Sequence, residues 1–192
     1  MAEIKPFTVN PSAEAVEAVL ERVRAYPWPV TPEAPDGWGY GCDGEFLKAL
    51  CAYWTDGYDW RAAVAELNRF PQFTAQVEDF NLHFVHVVGE AEGKRPLLLS
   101  HGWPGSHYEF WGSIEKLAFP SRFGGKAEDA FDVVVPSLPG FGFSSKPKRP
   151  IGQRGIRGGS HTLLAGSQTA DLARAIVARW RPNSISGRPW CG

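Results

Sequence analysis

Residues 96–106 read Pro96-Leu97-Leu98-Leu99-Ser100-His101-Gly102-Trp103-Pro104-Gly105-Ser106. Leu97–Leu99 make a short, wholly apolar strand, the pattern of a strand inside a parallel sheet. The strand runs straight into His101-Gly102-Trp103-Pro104-Gly105. Gly102 lets the chain turn sharply where the strand ends. The Trp103 backbone N–H is then free to point into the open end of the sheet. A preorganised backbone donor in that place stabilises charge developing on oxygen. Taken alone, the same residues also read as an ordinary Gly/Pro turn with Trp103 packed in the core. The flanking strand and a second Gly-rich motif favour the oxyanion reading.

That second motif follows the next buried strand, Phe131–Val135, and reads Pro136-Ser137-Leu138-Pro139-Gly140-Phe141-Gly142-Phe143-Ser144. Its glycines permit close backbone approach. It lacks a third Gly and an immediate helix signal, so it is not a phosphate cradle. It reads as a structural turn with Phe141 and Phe143 as core plugs. Between the two strands, Phe110, Ile114 and Leu117 share one side of a helix. Upstream, Phe73–Val77 and Leu82–Val88 flank a turn at Asp79-Phe80-Asn81, a β-hairpin. A hairpin followed by strand–helix–strand predicts a mixed sheet becoming parallel, and the α/β class.

The first third is helical. Asn10-Pro11-Ser12 starts a helix carrying Val16, Val19, Leu20 and Val23 at helical spacing, and Tyr26-Pro27-Trp28-Pro29 stops it. After a Pro/Gly loop at 30–44, Phe46, Leu47, Leu50, Tyr53 and Trp54 form a second stripe. Asp59 caps a third helix with Trp60, Ala63, Val64 and Leu67 inward. From Ile151 to Gly192 there are six Arg, no Lys and one acid, Asp171. Leu172, Ile176 and Trp180 could form one helix there. An Arg/Gly/Ser-rich, acid-poor stretch is also what a GC-rich gene gives when read out of frame. The division expected is a wrapping region with hairpin at 1–90, the start of the core at 91–150, and an atypical tail at 151–192.

A net charge of −1 gives no field for nucleic acid or an anionic membrane. The tail lacks the Lys runs and interleaved aromatics of a nucleic-acid arm. No run approaches the ~18 apolar residues of a membrane span, and the N-terminus lacks a secretory signal. Cys42, Cys51 and Cys191 have no metal spacing and read as reduced thiols of a cytoplasmic protein. His83 and His86 fall on opposite faces of one strand, so they form no metal pair and read as structural. His101 shapes the turn rather than transferring protons. His107 lies in the first turn of the following helix, and His161 in the tail. Glu128-Asp129 reads as a solvated pair. Ser106 and Ser144 lack the Gly-x-Ser-x-Gly elbow of a nucleophile.

Residues 6 to about 147 resemble the N-terminal part of epoxide hydrolases of the microsomal and juvenile-hormone type, in a bacterial-looking version. The resemblance rests on Pro6-Phe7, Trp28-Pro29, Tyr58-Asp59-Trp60-Arg61, Leu67-Asn68-Arg69-Phe70-Pro71 and Leu82-His83-Phe84-Val85-His86, then His101–Ser106 and Pro136–Ser144, in order. It implies an α/β-hydrolase sheet, here incomplete, preceded by a helical wrapping region. It implies cofactor-free hydrolysis of a small hydrophobic epoxide through an Asp ester, with two lid tyrosines assisting. In that family the Asp sits in a Gly-Gly-Asp-Trp-Gly-like elbow after the second motif. No Gly-x-Asp-Trp occurs here after residue 144; Asp171 has a helical context, and Gly187–Gly192 contains no acid. No nucleophile, orienting acid or base is therefore identified. Only the oxyanion turn, His101, Gly102, Trp103 and Pro104, carries over. The expectation is a truncated or frameshifted chain, inactive alone, with an open sheet edge. The alternatives are another α/β-hydrolase, a dehalogenase or esterase, and a non-catalytic binding module.

Overall fold

The structure, a computed structural model, describes residues 4–30, 38–77 and 80–148. The readings on the tail, including His161, Cys191 and the Leu172–Trp180 helix, lie outside the described residues. So does Asp79 of the hairpin turn. The chain divides into two compact units, residues 1–8 with 70–192, and residues 9–69.

The first unit holds one mixed five-stranded sheet: β1 (Ile4–Phe7), β2 (Gln72–Val77), β3 (Phe80–Val87), β4 (Arg95–Leu98) and β5 (Phe131–Pro136). The spatial order is β1-β2-β3-β5-β4, with only the β4–β5 pair parallel. The hairpin register pairs Phe73 with Phe84 and Val77 with Phe80. Phe80 and Asn81, expected in the turn, are therefore strand residues, because their backbones complete the β2–β3 ladder. β1 escaped the sequence reading: it has four residues and contains Pro6, which only an edge strand tolerates.

Alternation sorts the strand residues onto two faces. Val85, Val87, Val133 and Val135 pack with Phe70, Trp111, Ile114 and Ala118. Phe73, Ala75, Leu82, Phe84 and Val134 form the other cluster. The helix against the first face is Trp111–Ala118, entered through a 3-10 turn at His107–Phe110. Ile114 is fully buried as its spacing predicts, while Phe110 and Leu117 are half-buried. Leu97–Leu99 are half-buried rather than central, because β4 pairs only with β5 among the described residues and lies at the sheet edge.

The 9–69 unit contains three α-helices, Ala13–Arg24, Gly44–Ala52 and Trp60–Leu67, and a π-helical turn at Tyr53–Gly57. Each α-helix begins on a capping side chain: Ser12 accepts from Ala15 N–H, Asp43 from Phe46 N–H and Asp59 from Ala62 N–H. The Asp43 cap was missed because it lies at the end of the Pro/Gly loop. The two ends of the unit are fastened by one side chain. Asn68 Oδ1 accepts the Val9 N–H and its Nδ2 donates to the Val9 carbonyl, each at 2.9 Å. The second helical stripe does not point into a core: Phe46, Leu50, Tyr53 and Trp54 are exposed and Leu47 is half-buried. A helical period marks one face of a helix, but other elements decide whether that face is covered.

Candidate functional site

β4 and β5 run parallel, so the two motifs that follow them emerge at the same end of the sheet. The first forms a tight turn. Gly105 N–H donates to the Gly102 carbonyl at 3.0 Å, and the Trp103–Pro104 peptide is cis. The Trp103 side chain is 85% exposed, which overturns the core-packed alternative. Its backbone N–H donates to no acceptor among the described residues. Gly102 departs from expectation. Its φ lies outside the left-handed region, and a Cβ there would meet no atom within 4 Å. Glycine is thus not required for the turn itself.

His101 is buried and held by backbone on both sides. Nε2 accepts the Leu138 N–H at 3.0 Å, which places the proton on Nδ1, where it donates to the Gly102 carbonyl at 3.0 Å. The Phe141 ring packs edge-on at 5.4 Å. With both nitrogens engaged, His101 ties the turn to the loop after β5.

That loop needs its glycines. Gly140 and Gly142 have φ of +86° and +50°. A Cβ on Gly142 would lie 2.5 Å from Ser137 Oγ and 3.0 Å from His107 Nδ1. The close approach leads to a buried cluster that sequence reasoning missed. Ser137 Oγ lies 2.8 Å from His83 Nδ1 and 3.0 Å from His107 Nδ1, and His83 Nε2 lies 2.9 Å from Gln72 Oε1. Ser144 Oγ accepts the His83 N–H and donates to the Ser137 carbonyl. Phe7 and Phe143 pack against His83 at 5.0 and 5.1 Å. The available signal was a polar residue at a core-facing position of an apolar strand, Leu82-His83-Phe84. Nothing local paired it with residues 54 and 24 positions away.

Burial disfavours the charged imidazoles. It lowers His83 to about 3, with His107 adding repulsion, and His107 to about 4, with His101 adding repulsion. His86, on the opposite face as its spacing implies, is lowered by burial first; Asp132 partly opposes this and Lys94 reinforces it. Ser137 with either histidine has the distance of a nucleophile–base pair, yet it has no exposed surface, so substrate cannot reach it. Ser106 caps the 3-10 turn through Tyr108 N–H. Neither it nor Ser144 is placed as a nucleophile. Among the described residues no group of three His, Cys, Asp or Glu could hold a metal, and no helix is long and apolar enough to cross a membrane. In the 9–69 unit, Val19, Val23, Tyr26, Trp28, Leu47 and Trp54 line an apolar groove of about 370 Å³, with Arg22 and Cys51 beside them.

The epoxide hydrolase N-terminus family model matches residues 4–110, and the α/β-hydrolase fold model matches 95–180. A Stigmatella aurantiaca protein carrying an epoxide hydrolase name is 45% identical over 144 residues, covering 75% of this chain and 32% of that protein. The juvenile hormone epoxide hydrolase of Bombyx mori is 33% identical over 192 residues, covering 97% of this chain and 38% of that protein. The solved Aspergillus niger epoxide hydrolase superposes with a TM-score of 0.63 at 35% identity, covering 76% of this chain and 37% of that one. The chain thus spans about a third of the length of the curated relatives it matches. The Bombyx similarity and the fold model both run past residue 150.

Proposed function

We propose that this chain, which belongs to the epoxide hydrolase family, supplies the oxyanion-binding turn of an enzyme that adds water to a small apolar epoxide to give a vicinal diol. The observation that carries the reading is the turn itself: a Trp103 N–H without an acceptor among the described residues, on a loop fastened by His101 at the shared end of two parallel strands. In the reaction, a carboxylate attacks an epoxide carbon and the C–O bond breaks. The departing oxygen takes a proton from a lid tyrosine hydroxyl, giving a hydroxy ester; the tyrosine regains its proton from the protonated base at the end of the cycle. Water, deprotonated by a general base, then attacks the ester carbonyl. Negative charge gathers on the carbonyl oxygen, where the Trp103 N–H would donate. Collapse returns the carboxylate and releases the diol. The open space beside Gly102 suits the approach of a substrate or ester to that N–H. These steps need no cofactor. His101, Gly102, Trp103 and Pro104 form the site in this reading; no residue of the chain is assigned as nucleophile, orienting acid or base. A cytoplasmic location fits the free thiols of Cys42 and Cys51.

The test begins with the gene, sequenced from codon 140 to several hundred bases past codon 192. A related frame encoding a Gly-Gly-Asp-Trp-like elbow and a later histidine supports the reading, and the restored protein should hydrate small epoxides. There, Trp103→Pro removes the N–H and should lower kcat about 10²- to 10³-fold. A restored protein inert toward epoxides overturns the reading. The groove in the 9–69 unit favours a second reading, a binding module. Tight binding of apolar epoxides by the 192-residue chain, without turnover and quenched through Trp28 and Trp54, would select it.

A further inference from the structure

Two buried histidines bracket the 102–106 turn, and each reaches one of two consecutive residues after β5. His101 accepts the N–H of Leu138, and His107 meets the hydroxyl of Ser137. The chemistry of the groups behind Ser137 sets the direction of each bond. The Gln72 amide oxygen can only accept, so His83 carries its proton on Nε2. His83 Nδ1 must then accept, and Ser137 O–H donates to it. A hydroxyl has one proton, so His107 donates from Nδ1 to the Ser137 oxygen. Its Nε2 is left as a buried lone pair without a partner among the described residues.

We infer that His107 is a positioning residue, locked by Ser137 in the Nδ1–H form, which anchors the far end of the turn as His101 anchors the near end. The inference deepens the oxyanion reading and depends on it only for its functional consequence. The His101 anchor uses a lone pair on Nε2, whereas the His107 anchor uses the proton on Nδ1. His107 faces Ser137, His83, Trp111 and Phe143, and His83 faces Gln72, Ser137, Phe7 and Phe143. His101 faces Gly102, Leu138 and Phe141. None of these described partners is a carboxylate, Lys or Arg, and burial lowers both His83 and His107 below the usual imidazole value.

Imidazole ¹⁵N spectra and amide hydrogen exchange of the 192-residue chain at pH 7 test this directly. The expected result is Nδ1–H at His101 and His107 and Nε2–H at His83. His107→Phe keeps a ring and removes both nitrogens. It should speed exchange of the Gly105 and Leu138 amides about fivefold relative to Val85, the change expected from one net hydrogen bond. His107→Asn offers an amide N–H near the Nδ1 position and should restore protection. A His107 proton on Nε2, or unchanged protection in folded His107→Phe, overturns the inference. If that variant does not fold, the parent's tautomers decide. Confirmed anchors in a restored protein whose Trp103→Pro variant keeps full epoxide activity would sink the oxyanion reading alone.

Discussion

In the sheet unit Phe84, Val85, Val133 and Val135 have no exposed surface, whereas in the 9–69 unit the buried apolar residues are Val9 and Leu20 among those described. Phe46, Leu50 and Tyr53 of the helical unit are each about half exposed. Both regions show clean periodicity in sequence. The difference lies in what surrounds each element. A strand such as β3 has neighbours on both edges and side chains on both faces. A nine-residue helix covers only the stripe that another element meets. The helical unit is organised more by its ends, the three caps and the Asn68–Val9 pair, than by a dense core.

The sharpest way to break this comparison is to truncate one apolar residue in each unit. Phe84→Ala should cost about 3–5 kcal/mol, enough to unfold a marginal domain, whereas Leu50→Ala should cost below about 1 kcal/mol. Urea midpoints decide it, and equal losses would refute the contrast. Acid should separate the units next, because all the described histidines, 83, 86, 101 and 107, belong to the sheet unit. The folded pKa of His83 and His107 lies below the ordinary 6.5. Their stabilising contribution is complete above that value and is lost as pH falls toward about 4 for His107 and about 3 for His83. The slope is at most about 1.4 kcal/mol per pH unit for each histidine. Denaturation followed between pH 7 and 4.5 should show the loss in exchange of sheet amides and not in the helical unit. A flat profile would mean that the histidines are not buried neutral.

Smaller effects sharpen the comparison within each unit. Gly142→Ala forces a Cβ against Ser137 at a positive φ and should cost about 2 kcal/mol or more, read by thermal denaturation. Asp59→Ala should remove about 1 kcal/mol through its lost cap, read as reduced helicity in far-ultraviolet circular dichroism. Gly102→Ala meets open space and should change stability by less than about 0.5 kcal/mol. A large loss there would show that the turn does need glycine.

Much of this architecture was legible locally. The helix starts at Ser12 and Asp59, the hairpin, the apolar strand Phe131–Val135 and the turn at His101–Ser106 all follow from neighbouring residues. The alternation of His83 and His86 correctly put them on opposite faces. Misreadings came where the deciding partner is remote. The strand Ile4–Phe7 went unread because its pairing partner β2 lies far along the chain. The Leu97–Leu99 run looked central because apolarity does not reveal how many neighbours a strand has.

The sequence by itself determined which segments turn, extend or coil, and it carried the motifs that mark the family, because caps, periods and glycine turns act over a few residues. The tertiary structure decided which apolar faces are covered and where the histidines go. Ser137 joins His107 and His83 across 30 and 54 positions, and His101 reaches Leu138 across 37. Such bonds depend on strand order and on a common exit at the end of β4 and β5. A linear pattern does not encode that convergence; the parallel pairing of two strands creates it, and burial then lowers the pKa of His83 and His107.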